Sequence, residues 1–286
     1  MPDTTIVAAV QIDIKIGETD ANLARMLAYA GEASANGAHL VIFPECTLTG
    51  YQLDSRDEAL QAAQTVPGPA TKAISSLCQQ MNIHVIFGLL EKSDDILFNT
   101  SVLVGPRGVI YAYRKNHVAF QAVDRFIQKG DKPFELCYTP KLHIGLELGY
   151  DTFFPEAARV HSLLGADVVV LQTNFATTGL VERAARVTTT RAIENKVYVV
   201  WCNRVGQERG YPFRGRSKVM DPMGVALARA SDDNEEIIYA ELDPARARDK
   251  RISHYAGEWE LDRFGDRRPE LYGLIVEPGT QSKQTQ

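Results

Sequence analysis

A chain of 286 residues with 45% hydrophobic side chains can bury a substantial core, as one large domain or two small ones. Its formal net charge of -5 argues against the basic face that a nucleic acid or other polyanion requires. No apolar run reaches the length of a bilayer span and no secretory segment precedes the first strand-like run, so a cytoplasmic protein is expected, with no membrane and no nucleic-acid partner.

Strand-like and helical runs alternate along the chain. Residues 5–11 are apolar and rich in β-formers, and Leu23, Met26, Leu27 and Ala30 mark a helix closed by Gly37. Residues 39–43 read as a short buried strand, 70–81 as a helix and 84–89 as a strand. Two further strands, 96–104 and 109–113, flank Gly105-Pro106-Arg107-Gly108, a hairpin turn by composition. An irregular stretch, 116–132, follows. The alternation then resumes: strand 141–148, helix 155–164, strand 167–172, helix 181–195, and strands at 197–203, 218–220, 225–230 and 236–242. With no linker and no shift in composition, a single domain over 1–279 is expected, followed by a disordered tail, 280–286. Helix–strand alternation with several hairpins suggests two sheets with helices on their outer faces. The basic clusters at 246–251 and 263–268 are interleaved with aspartates and read as solvated or subunit-contacting helix ends. Cysteines 46, 78, 137 and 202 form no CxxC pair and have no metal-ligand spacing with histidine, so they read as ordinary thiols.

The chemistry gathers at strand ends. Ile144-Gly-Leu-Glu-Leu-Gly149-Tyr150-Asp151-Thr-Phe-Phe-Pro155-Glu156 is a buried strand running into a turn and a helix opened by proline. Such a turn is suited to presenting a nucleophile beside free backbone N–H groups. Glu45, after Phe43-Pro44, and Asn174, after residues 167–172, also lie at C-terminal strand ends, where ligand sites of α/β folds concentrate. Lys115 leaves a strand for the long 116–132 loop, and long loops in compact domains are often functional. Tyr51, Tyr150, Asn174 and Phe175 are candidates for lining a pocket, and the core reading is as good for each aromatic. Asp151 reads as a brace for its turn.

Phe43-Pro44-Glu45, Tyr113-Arg114-Lys115-Asn116-His117 and the Gly149 segment come in the order found in the nitrilase superfamily of carbon–nitrogen hydrolases, which the chain resembles over nearly its whole length. Arg191-Ala-Ile-Glu194-Asn195-Lys-Val-Tyr198, Asn203-Arg204-Val-Gly206 and Gly215-Arg-Ser217 with Asp221-Pro222-Met-Gly224 extend the match. The resemblance implies a four-layer α-β-β-α sandwich and a homodimer or larger even assembly, reached in part through residues 246–272. It implies hydrolysis of a small linear amide, N-carbamoyl compound or nitrile without metal or organic cofactor. Glu45 would be the general base and Lys115 the oxyanion-stabilising cation, while His117 would be structural. The family's nucleophilic cysteine falls on Gly149, which has no side chain to form a thioester, so covalent turnover is expected to be lost or strongly reduced. None of the four cysteines is expected to replace it. Three explanations stand: a replacement that traps substrate, a relative turned to binding or regulation, or direct attack by water activated at Glu45. The family often carries a second glutamate before a Gly-Asp pair such as Gly130-Asp131. Val123 falls nearest that position, and Asp124 either substitutes for the carboxylate or is a loop aspartate paired with Arg125.

Overall fold

The structure, a computed structural model, describes residues 4–277, with the Thr178 side chain left aside. The tail expected at 280–286 lies outside the described residues. Two compact units divide the chain between Arg248 and Asp249, and each is described by itself.

The first unit carries strands β1 (Thr5–Gln11), β2 (Leu40–Ile42), β3 (His84–Ser93), β4 (Ile96–Gly105), β5 (Gly108–Arg114), β6 (Leu136–Tyr138) and β7 (His143–Leu148). After these come β8 (Val168–Gln172), β9 (Tyr198–Cys202), β10 (Gly206–Glu208), β11 (Tyr211–Phe213), β12 (Lys218–Met220), β13 (Ala226–Arg229) and β14 (Glu236–Leu242). Its helices are α1 (Thr19–Ala35), α2 (Arg56–Ala62), α3 (Pro69–Met81), α4 (Pro155–Leu163), α5 (Thr178–Asn195) and α6 (Pro244–Arg248). Two six-stranded sheets result, ordered β14-β1-β2-β3-β4-β5 and β13-β12-β9-β8-β7-β6. Each has a parallel centre, β1-β2-β3 in one and β7-β8-β9 in the other, flanked by antiparallel edges.

The two-residue period of each central strand explains the layering. On β1, Val7 and Ala9 enter a core that also holds Ile144, Leu146 and Leu148 of β7, with Val168, Val170 and Val200 of the second sheet. The intervening Ala8 and Val10 pack instead on Met26, Ala30 and Ala33 of α1 and on Ile74 and Cys78 of α3. The second sheet does the same: Leu171 and Trp201 turn away from the inter-sheet core to meet Val181 and Ala184 of α5. Both faces of both sheets are therefore buried, and the expected α-β-β-α sandwich is the fold.

Local chemistry fixes the element ends. The Ser55 hydroxyl accepts from Glu58 N at 3.2 Å and opens α2, an element the sequence reading passed over. Pro69 and Pro155 occupy the first turns of α3 and α4, where their missing N–H groups cost nothing. The irregular 116–132 stretch contains a short 3₁₀ turn, Ala122–Arg125.

The second unit is a hairpin, β15 (Arg251–Tyr255) paired antiparallel with β16 (Trp259–Asp262), followed by 3₁₀ turns Pro269–Leu271 and Gly273–Ile275. The helix ends expected for the basic clusters are thus confined to Arg246 and Arg248 on α6, because the aromatic and β-branched residues at 252–259 favour a strand pair. Among the described residues no helix is long and apolar enough to cross a membrane.

Candidate active site

Four strand ends meet at one place. β2 leads through Phe43-Pro44 to Glu45, β5 ends beside Lys115, β7 ends at Gly149 and β8 leads to Asn174. The Glu45 backbone is set by close approach to β3. Phe43 N donates to Ile86 O at 2.8 Å and Leu48 N to Gly88 O at 3.1 Å. A Cβ on Gly88 would come within 2.9 Å of Glu45 Cα, so only glycine lets the two segments lie this close. Gln172 of the opposite sheet donates to Phe43 O at 2.6 Å, and Asn174 Nδ2 donates to Glu45 O at 2.9 Å.

Glu45 and Lys115 converge. The buried Lys115 ammonium donates to Glu45 Oε1 at 2.8 Å and to Asp124 Oδ2 at 2.6 Å. Asp124, on the 3₁₀ turn, is buried and also accepts from the Tyr51 hydroxyl at 3.1 Å. Arg125 turns back to Ala122 O, so the pairing with Asp124 that the sequence allowed does not form. One cation thus sits between two carboxylates, and Asn99 of β4 bridges the carboxylates, donating to Glu45 Oε1 at 2.8 Å and to Asp124 Oδ1 at 3.4 Å.

Burial raises the Glu45 carboxyl above its ordinary range against the lowering effect of Lys115, and Asp124 adds to the rise. Burial by itself would lower the Lys115 ammonium, but Glu45 and Asp124 outweigh it and hold the group well above the usual lysine range. Burial and the charge of Asp124 push the Tyr51 hydroxyl well up, so it stays a neutral donor.

Gly149 begins a 3₁₀ turn, Gly149–Phe153, with φ +43°. A Cβ built there would lie 2.8 Å from Glu45 Oε2, 3.0 Å from Glu45 Oε1 and 3.1 Å from Lys115 Nζ. The position therefore aims at the Glu45 carboxylate and the Lys115 ammonium, and the carboxylate already leans into part of the space a side chain would take. Tyr150 follows as the second residue of the turn, where a helix leaves its N–H groups without intrahelical partners. The turn is braced by Asp151, which accepts from the Tyr113 hydroxyl at 2.8 Å, Leu148 N at 2.9 Å and His117 N at 3.0 Å. The His117 ring lies 2.7 Å from the same carboxylate and stacks on Phe154 at 3.7 Å, a structural position.

A cavity of about 150 Å³ opens beside these groups, bordered by Glu45, Tyr51, Lys115, Gly149, Tyr150, Asn174 and Phe175. Every site residue singled out in the sequence lies on it except Asp124, which stands behind Lys115. Gln121, Phe153 and Leu180 also border it and were missed, as was Asn99. Asn99 had a signal, since Asn99-Thr100-Ser101 interrupts an otherwise apolar strand, and buried polar runs demand partners. The later landmarks are scaffolding. Asn203 Oδ1 accepts from Phe175 N at 3.0 Å and from the Thr173 hydroxyl at 2.8 Å, holding the loop that carries Asn174. Glu208, buried and paired with Arg204, accepts from Tyr51 N at 3.1 Å and Gln52 N at 2.9 Å. Cys46 turns to the far side of Asn99, its thiol 3.5 Å from Asn99 Oδ1 and pushed well up by burial and by Glu45; Cys202 lies in the inter-sheet core.

Comparison with known proteins points the same way. The carbon–nitrogen hydrolase family model matches residues 6–252. A nitrilase of Pyrococcus abyssi is 38% identical over 267 residues, covering 93% of this chain and 98% of that protein. An (R)-stereoselective amidase of a Pseudomonas species is 31% identical over 271 residues, covering 94% and 93%. The crystal structure of a carbon–nitrogen hydrolase from Helicobacter pylori superposes with a TM-score of 0.83 at 23% identity, covering 96% of this chain and 99% of that one, which speaks for the fold. Matched from its first strand to its last sheet, the chain belongs to the carbon–nitrogen hydrolase family.

Proposed function

We propose that the protein binds a small amide-like ligand at the Glu45–Lys115–Gly149 site and carries out little or no covalent turnover. The observation that supports this most directly is the direction of Gly149: a side chain there would enter between the base and the cation, within 3.1 Å of Lys115 Nζ. In such a site Glu45 would take the proton of a nucleophile at the elbow as it attacks the ligand's carbonyl carbon. The negative charge forming on the carbonyl oxygen would be met by Lys115 and the Tyr150 N–H. The proton held on Glu45 would then leave with the amine. Glycine supplies no atom for the first bond, so every later step is left without a substrate.

The relatives' names, a nitrilase and a stereoselective amidase, favour a carbon–nitrogen bond as the target class. The exposed Tyr255, Trp259, Leu271 and Leu274 of the second unit favour a homodimer or larger even oligomer. Four free thiols suit a reducing, cytoplasmic setting.

The test is Gly149→Cys, assayed on amides, N-carbamoyl compounds and nitriles. Turnover at least about 10³-fold above the unaltered protein, with an acyl adduct seen by mass spectrometry, is expected, because restoring a nucleophile is worth several orders of magnitude. No gain would favour a dedicated binding protein. Brisk turnover by the unaltered protein would favour water activated directly by Glu45, whose raised pKa makes it the stronger base.

A further inference from the structure

One polar atom in the cavity wall is left without a partner. Asn174 is 6% exposed, and its Oδ1 is buried with no hydrogen bond among the described residues. Its orientation is not interchangeable. The Nδ2 donates to the Glu45 carbonyl at 2.9 Å, and a carbonyl can only accept, so turning the amide round would set two oxygens against each other. Oδ1 is therefore fixed as an acceptor. An unmet buried acceptor is costly, and a ligand donor placed against it recovers that cost.

The charge around the cavity restricts the ligand further. Among the described residues the charged groups on its wall are Glu45 and Lys115, and the ammonium is already shared with Asp124 behind it. One cation between two carboxylates leaves a net negative site. A carboxylate on the ligand would be a third anion with no free cation to meet it. The remaining wall, from Tyr51, Phe153, Phe175 and Leu180, is mainly apolar. The cavity, about 150 Å³, suits a short ligand.

We propose that Asn174 Oδ1 accepts an N–H of the ligand's carboxamide, making this a site for short, uncharged primary carboxamides rather than nitriles or amides that carry a carboxylate. The assignment rests on reading the site as one for amide-like ligands, and it makes Asn174 a specificity-determining residue. A nitrile has no N–H to offer. A methyl ketone has the amide's shape and carbonyl with the NH₂ replaced by CH₃, and so isolates the contact.

Calorimetric titration of the unaltered protein with butyramide, 2-pentanone, butyronitrile and succinamate tests this without any mutation. Butyramide is expected to bind at least about 10-fold more tightly than the ketone or the nitrile, with no measurable binding of succinamate, since a site built to pair an N–H rejects isosteres that lack it. In Asn174→Leu the preference for butyramide over 2-pentanone should fall to within about two-fold. Equal binding of butyramide and 2-pentanone by the unaltered protein, or an undiminished preference in Asn174→Leu, overturns the role of Asn174 while leaving the amide site standing. Tight succinamate binding overturns the charge exclusion. Failure of all four ligands to bind removes the amide-site reading itself, and the assignment with it.

Discussion

Lys115 carries more of the site than its role as a cation suggests. Buried between Glu45 and Asp124, it pairs with two carboxylates that would otherwise sit without a counter-charge in a medium hostile to charge. The pKa of Glu45 is raised by burial, and this has a signed consequence for stability. A carboxyl whose folded pKa lies above its unfolded value contributes fully below the ordinary glutamate range, about pH 4.3, and loses that contribution as pH rises through the folded value. Lys115, raised well above the ordinary lysine range, stays charged throughout this window and adds no slope there. Urea unfolding of the unaltered protein and of Glu45→Gln across about pH 4.5 to 8 should therefore show the unaltered protein losing ground to the variant as pH increases, by up to about 1.4 kcal/mol per pH unit. A difference that stays constant over the window would mean that Glu45 is not held up as described. Gly149 has its own signed effect. At φ +43° a cysteine is strained, so Gly149→Cys should cost about 1–2 kcal/mol of stability even where it restores turnover.

At the scale of elements, the site depends on how closely two backbones approach. Gly88→Ala places a methyl carbon against the 45–46 backbone, and because backbone cannot rotate away as a side chain can, Glu45 must move. A cost of about 1–3 kcal/mol in urea unfolding is expected, together with at least about 10-fold weaker ligand binding by calorimetry. Full stability with unchanged binding would show the approach to be slack. This contact also marks where sequence stops being legible. β1, β12 and β14 were bounded to the residue, and most other elements to within a few, because their apolar periods are strong and their ends carry proline, glycine or a cap. Glu45, Lys115 and Gly149 were found because family motifs surround them. Asn99, Gln121 and Leu180 carry no motif, and their place on the cavity or behind it depends on which strands are neighbours; Phe153 lies within the Gly149 segment, where nothing marked it apart from its neighbour Phe154. The second unit was misread for a related reason: its arginines suggested helix ends, while the pairing of Tyr255 with Trp259 fixes a hairpin.

The whole molecule offers one more test. Exposed Leu271, Leu274, Ile275 and Val276 in the second unit form a run of apolar side chains of a kind that soluble chains usually cover. Sedimentation at micromolar concentration should give a dimer or larger even species, and a truncation after Arg248 should sediment as a monomer; a monomeric full chain would end the proposal. Within the first unit, Glu45 and Lys115 hang from one sheet and Gly149 and Asn174 from the other, with the inter-sheet core between them. The Glu45–Lys115–Asp124 cluster is buried at the cavity, and losing any one of its charges strands another in the interior. Gly149 has no such tie. Of the parts such a catalyst would need, the nucleophile is the one that could be discarded without harm to folding, and at this backbone angle its loss would be a relief. A lineage released from the need for turnover would shed that atom first and keep the rest for reasons unrelated to chemistry. On the proposed reading, a site left intact around Gly149 is what architecture alone would preserve.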